Sequence, residues 1–263
     1  MFLAIDVGNS NIHLGEFSYS KGGKIPRMIN YIAFPNRQRY FLNRLFSKIY
    51  HPSSIEGIIV SDAYGEKAIM NDPKIKAIFS RYANLILLTP KTKCDLEIGY
   101  QPKSSLGTDR IANCVAGYKI YRRDCLVVDF GTATTFNFVS KEGKFLGGLI
   151  TPGIKNSYNT LPQHLLPSIK TKIKKPDIWA LSTSNAIQSG IFFQLKGMVN
   201  EIQREIKLKT NKKFFTIATG GGINLIPNIK NIFDDVNLYL TLKGLAIIYQ
   251  KIVNNKIIFK EKI

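Results

Sequence analysis

The stretch AIDVGNSNIHLGEF, residues 4–17, decides the fold. An apolar run ends in Asp6, Gly8 and three small polar residues, and the chain turns apolar again at Ile12. Apolar, polar turn, apolar is the pattern of two strands joined by a tight loop. A glycine in such a loop has no Cβ, so backbone N–H groups there can approach a phosphate closely. Asp6 adds a carboxylate at the strand end, and Asn9, Ser10 and Asn11 add amide and hydroxyl donors. Taken alone, an ordinary Asp-Gly turn is the simpler reading.

A second copy changes that balance. VVDFGTAT, residues 127–134, repeats the order apolar, apolar, Asp, apolar, Gly, small polar, with Thr132, Thr134 and Thr135 as the hydroxyl donors. Asp129 falls near the middle of the 263-residue chain, so each half opens on the same unit. A third glycine cluster, TGGG at residues 219–222, also follows an apolar run. Strand–Asp–Gly–turn–strand, twice, indicates a duplicated α/β domain, divided into residues 1–118 and 119–263. Two such loops facing each other would clamp one nucleotide. No GxxxxGK[ST] and no GxGxxG occurs in the sequence, so neither loop is a P-loop or a dinucleotide fingerprint.

The remaining pattern fills out an α/β chain. Strands are expected at 55–63, 83–89, 125–140 (as a hairpin), 143–153 and 214–219. Helices are expected at 37–49, 72–83, 183–206 and 240–252, and a loop followed by a helix within 106–121. Asp72-Pro73 is a helix-start signal, and Asp109 lies near the start of another helix.

Composition sets outer bounds. With 44% hydrophobic and 21% charged residues, the chain can bury a core. No stretch approaches the roughly 18 apolar residues of a membrane span. No basic n-region precedes the first strand, so no secretory leader is expected. The three cysteines form no CxxC, which suits a reducing cytoplasm, and the three histidines have no metal-ligand spacing. The net charge of +19 is mostly dispersed lysine; its densest run, KTKIKK at 170–175, is short and has no aromatic interleaving. Such a surface steers anionic substrates without specifying a nucleic-acid partner.

With these motifs in place, the chain resembles the type III pantothenate kinases, within the sugar kinase, heat-shock chaperone and actin superfamily. The resemblance covers nearly the whole chain. It rests on DVGNSN (6–11), YQPKSSLGTDR (100–110), DFGTATT (129–135), GGLITPG (147–153), TSNAIQSG (183–190), TGGG (219–222) and LTLKGL (240–245), in that order. It implies two ribonuclease-H-like (actin-like ATPase) domains, with mixed sheets and flanking helices. It implies ATP-dependent phosphorylation of pantothenate to 4′-phosphopantothenate, the first step of coenzyme A biosynthesis.

Residue by residue, the resemblance makes Asp6, Val7, Gly8, Asn9, Ser10, Asn11, Ile12 and His13 the first ATP-phosphate loop, with Thr132 a further ATP contact. Asp6 would organise Mg²⁺ through water. Asp129 would hold a monovalent cation, K⁺ or NH₄⁺. Tyr100, Gly107, Thr108, Asp109, Arg110 and Thr183 would contact pantothenate, with Asp109 as general base. A homodimer is implied, its interface on residues 186–206 and 148–166.

The chemistry agrees with these roles. Phosphoryl transfer needs positioning, charge neutralisation and an in-line hydroxyl. Asp109 can accept the proton of the primary hydroxyl, and Arg110 can hold the carboxylate. Structural readings stand beside them: Asp109 and Thr183 as helix-start residues, Tyr100 as a half-buried aromatic, and Trp179 with Phe192 and Phe193 as core or dimer surface. The chain departs from the family pattern at Ser10, at IIVSDAYG (58–65) and at WALSTSNA (179–186). Two other classes stay open: a nucleic-acid-associated regulator, and a superfamily kinase acting on another hydroxylated acid.

Overall fold

A computed structural model describes residues 1–20, 22, 25–36, 55–63, 84–161, 173 and 176–260. The helices expected at 37–49 and 72–83, and all of the basic run at 170–175 except Ile173, lie outside the described residues. The chain divides into two units: Met1–Tyr121 with Glu142–Phe145 and Leu240–Ile263, and Arg122–Lys141 with Leu146–Tyr239.

The first unit is built on β1 (Phe2–Val7), β2 (Asn11–Ser18), β3 (Arg27–Pro35), β4 (Gly57–Asp62) and β5 (Asn84–Leu87), in the spatial order β3-β2-β1-β4-β5. β1 and β2 form the antiparallel hairpin read from residues 4–17, and β4 runs parallel to β1 on its other side. β1 is central, so both its faces must be apolar. Leu3, Ile5 and Val7 pack with Ile12, Leu14, Ile58 and Val60 on one face. On the other, the Phe2 ring stacks on Tyr249, 4.4 Å between centroids.

Two helices complete the described part of this unit. α1 (Thr108–Tyr121) packs against the C-terminal α4 (Leu240–Lys260), which also lies on β1. Gly244 makes that approach possible, because a Cβ there would overlap the Ala112 carbonyl. The C-terminal helix therefore belongs by contact with the first unit, where the sequence reading assigns it to 119–263. Its apolar face matches the aromatic face of β1, a long-range pairing that periodicity alone does not specify. The short β6 (Glu97–Ile98) pairs in parallel with Lys144 and Phe145.

The second unit repeats the plan. β7 (Cys125–Phe130), β8 (Ala133–Val139), β9 (Lys144–Pro152), β10 (Phe215–Thr219) and β11 (Asp235–Val236) follow the order β11-β10-β7-β8-β9. β7 and β8 are antiparallel, while β10 runs parallel to β7. α2 (Ile154–Asn159) and α3 (Thr183–Thr210) supply Tyr158, Leu195 and Val199 to a core shared with Leu126, Val128, Phe130 and Phe136.

The internal repeat is thus structural as well as textual. Asp6 pairs with His13 on its hairpin strand and with Ser61 on its parallel strand. Asp129 pairs with Thr135 and Thr219 in the same two ways.

Candidate active site

In the first unit, Asp6 is half-buried near the end of β1, and the turn after it closes through Gly8 N–H donating to the Asn11 carbonyl at 3.0 Å. Asn9, Ser10 and Asn11 stand exposed at the tip. Asn36 braces this turn: its backbone N–H donates to the Ser10 carbonyl (2.9 Å), and its Nδ2 donates to the Gly8 carbonyl (2.7 Å). The loop is therefore held in shape by its own backbone and one buried amide. Val7 and Ile12 belong to the core, so of the eight residues read as a phosphate loop these two present no side chain to a ligand. His13 is half-buried, with Nδ1 2.8 Å from the Tyr31 hydroxyl. Burial lowers its pKa from the usual histidine value, which keeps the imidazole neutral at pH 7.

The start of α1 gathers four of the expected substrate residues. Asp109 lies in its first turn, half-buried, with Oδ1 accepting the Arg110 backbone N–H at 2.8 Å. Burial raises its carboxyl pKa, against the smaller opposing pull of that N–H and of the Arg110 charge. Arg110 is buried at 4% exposure, its guanidinium 5.6 Å from the ring centres of both Tyr100 and Phe145. These two rings meet edge to face at 5.8 Å. A guanidinium held by two aromatic rings keeps its charge and its planar fork oriented while losing most of its water. Tyr100, Gly107, Thr108, Asp109 and Arg110 are thus brought together. Phe145 joins them without having been read from sequence; its signal is an aromatic just ahead of the glycine pair in GKFLGG.

In the second unit, Gly131 N–H donates to the Ala133 carbonyl at 3.1 Å, and Thr132 is exposed at the tip of the turn. Thr134 and Thr135 are buried in β8, where the Thr135 hydroxyl accepts from Asn137 Nδ2 at 3.0 Å. Of the three threonines read as donors, Thr132 alone is at the loop surface. The Thr132 carbonyl accepts from Gly153 N–H (3.2 Å) and Asn156 Nδ2 (2.8 Å).

The TGGG cluster packs against this same turn. Gly220 has φ +90°, and a Cβ there would overlap Asp129 Oδ1. The Thr219 hydroxyl, in register beside Asp129, is buried and has no hydrogen-bond partner among the described residues. Thr183 is the exposed first residue of α3, while the capping role falls to Ser182, whose hydroxyl accepts the Asn185 N–H at 3.3 Å.

Among the described residues no cluster of three or more His, Cys, Asp or Glu side chains assembles as a metal site. In the second unit the Asp129 carboxylate and the buried Thr219 hydroxyl lie side by side in register, an oxygen donor pair. That suits hard cations that keep water or share substrate oxygens.

The family model described as type III pantothenate kinase matches residues 2–205. Two relatives described as type III pantothenate kinase, from Geotalea daltonii and Geobacter sulfurreducens, are each 32% identical and cover 95% of this chain and 98% and 99% of their own. Among solved structures, a Campylobacter jejuni protein described as a Baf family transcriptional activator has a TM-score of 0.59 at 23% identity, covering 96% of this chain and 100% of its own. The Clostridium difficile activator of 2-hydroxyisocaproyl-CoA dehydratase, solved with ADPNP, has a TM-score of 0.54 at 9% identity, covering 100% and 97%. A glucokinase from an Antarctic psychrotroph has a TM-score of 0.52 at 11% identity, covering 94% and 97%. These structural likenesses establish the fold: the duplicated actin-like ATPase architecture, with mixed sheets and flanking helices.

Proposed function

The chain belongs to the type III pantothenate kinase family, and from that premise we propose that it catalyses ATP-dependent phosphorylation of pantothenate to 4′-phosphopantothenate, the first step of coenzyme A biosynthesis. The observation that carries the reading is the start of α1. A carboxyl with a raised pKa, Asp109, stands next to a buried, ring-held guanidinium, Arg110. Consecutive helix positions point about 100° apart, so the two side chains address different ends of an extended substrate. Arg110 binds the pantothenate carboxylate with its planar fork, and Tyr100 lines the same place. Asp109 receives the proton of the primary hydroxyl as that oxygen attacks the γ-phosphorus and the bond to ADP breaks. Thr108 offers a further hydroxyl to the substrate.

Each unit carries one turn whose chemistry suits phosphate oxygens. Asn9, Ser10 and Asn11 in one unit and Thr132 in the other present amide and hydroxyl donors on exposed tips, while His13, neutral, adds no charge to the first. Asp6 fits Mg²⁺ through water, and Asp129 with the buried Thr219 hydroxyl fits a dehydrated monovalent cation such as K⁺ or NH₄⁺. Bound there, these cations would neutralise the negative charge of the triphosphate.

A homodimer goes with this reading. Leu146, Leu149 and Ile150 on β9, and Ile178, Trp179 and Leu181 before α3, expose large apolar surface; Trp179 is 79% exposed, so it is surface and not core. A cytoplasmic location also fits, since the three cysteines are buried and none forms a disulfide among the described residues. Among the described residues no helix is long and apolar enough to cross a membrane.

The deciding measurement is ADP release with and without pantothenate, in Mg²⁺ at varied K⁺ and NH₄⁺. Pantothenate-dependent release supports the reading. No release, together with tight and steeply salt-dependent DNA binding, would replace it with the nucleic-acid-associated one.

A further inference from the structure

Ser61 lies near the end of β4 and is fully buried. The parallel register sets it beside Asp6, and the antiparallel register sets His13 on the other side of Asp6. Register partners share a sheet face. His13, Asp6 and Ser61 therefore form one row across three neighbouring strands.

The row continues beyond the sheet. Ser61 Oγ is 2.9 Å from Thr108 Oγ1, and Thr108 is the first residue of α1, immediately before Asp109. A hydroxyl taken out of water needs a partner, or its desolvation is uncompensated. The hydrogen bond between these two ties the start of α1 to β4, the strand that runs beside β1 and its Asp6 turn. The second unit carries a hydroxyl at the same register position, Thr219 beside Asp129, and there no partner exists among the described residues. The tie to a helix start is thus a feature of the half that bears the acid.

We propose that Ser61 is a positioning residue for phosphoryl transfer: through Thr108 it sets where the Asp109 carboxylate stands relative to the Asp6 loop. The inference rests on the reading of Asp109 as general base. Misplacing a reacting group by an ångström can cost about a hundredfold in rate, so a hydroxyl that touches neither substrate can still govern turnover.

The test is a double-mutant cycle on the full chain with Ser61→Ala, Thr108→Val and the pair. Readouts are kcat, both KM values, the pH profile of kcat and the melting temperature. Ser61→Ala is expected to lower kcat by about tenfold to a hundredfold, leave the ATP KM within about twofold and move the acid limb of kcat. The double variant should be no slower than the slower single one, because both remove one shared hydrogen bond. Ser61→Cys, with a weak donor of similar volume, should fall between wild type and Ser61→Ala, and it keeps the test open if the alanine variant does not fold. An unchanged kcat and acid limb in Ser61→Ala, or losses that multiply in the double variant, would overturn the proposal. Wild-type protein that releases no ADP with pantothenate would overturn the kinase reading as well, so the two failures are distinguishable.

Discussion

The Asp109 carboxylate occupies the space where a side chain on Gly107 would stand: a Cβ built on Gly107 overlaps Asp109 Oδ1. That oxygen also accepts the Arg110 N–H at 2.8 Å. The acid is thus folded back over its own helix start, where the helix dipole favours a negative charge and burial disfavours it. Burial is the larger influence, and the carboxyl pKa is raised.

Gly107→Ala should therefore displace the acid without breaking the fold, because the atom in the way is the mobile end of a side chain. We expect kcat to fall about tenfold to a hundredfold, with the melting temperature nearly unchanged. Steady-state kinetics beside a thermal melt checks this. Wild-type kcat in the alanine variant would mean that the observed carboxylate position is not the one used.

Asp109→Asn keeps the shape and removes the base, so kcat should drop by roughly two to four orders of magnitude. In the wild type, kcat should fall as the pH drops through the raised pKa, placing the acid limb above the ordinary aspartate value of about 3.9. Stability should move the opposite way. A carboxyl with a raised folded-state pKa contributes stability that is present below its unfolded pKa and is lost as the pH rises through the folded one. At neutral pH Asp109→Asn should then melt above the wild type, and the gain should vanish below about pH 3.9. Equal melting temperatures at pH 7 would show that burial does not strain this acid.

How far the sequence carried this site can be judged at particular residues. The two Asp-Gly turns and the start of α1 are legible because their chemistry is local: a carboxylate, a glycine and small donors adjacent in the chain. β3 (RMINYIAFP) is not, because most of its residues are half-buried and it has no clean alternation. Phe145 is marked only by its place ahead of a glycine pair, since its value comes from meeting Arg110, 35 positions earlier in the chain. Thr134 and Thr135 mislead in the other direction. They continue a run of threonines, yet the turn ends at Ala133 and the strand buries them. Local pattern marks where a turn begins better than which of its hydroxyls still face outward.

Arg110→Lys separates charge from shape. Lysine keeps the positive charge but gives up the planar fork and its packing between Tyr100 and Phe145. If Arg110 holds the pantothenate carboxylate, the pantothenate KM should rise about tenfold to a hundredfold while kcat changes less than about threefold. Phe145→Leu, removing one of the two rings, should shift KM in the same direction by a smaller factor. Unchanged KM in both variants would take the carboxylate elsewhere.

Thr219 offers a test in which function and stability move in opposite directions. Its hydroxyl is buried beside Asp129 with no partner among the described residues, on a strand position where valine fits equally well. Replacing an unsatisfied buried hydroxyl by a methyl group of the same shape removes a desolvation cost of about 1–3 kcal/mol, so Thr219→Val should melt at a higher temperature. The hydroxyl is retained for a reason if it is an oxygen donor to the cation at Asp129. In that case Thr219→Val should weaken the K⁺ stimulation of ATP binding, and Asp129→Ala should abolish it. Titration of ATP in K⁺ against tetramethylammonium, alongside thermal melts, reads both effects. A K⁺ response unchanged in Asp129→Ala would place the cation away from this turn. A response lost in Asp129→Ala but untouched in Thr219→Val would leave the carboxylate as ligand without its neighbour.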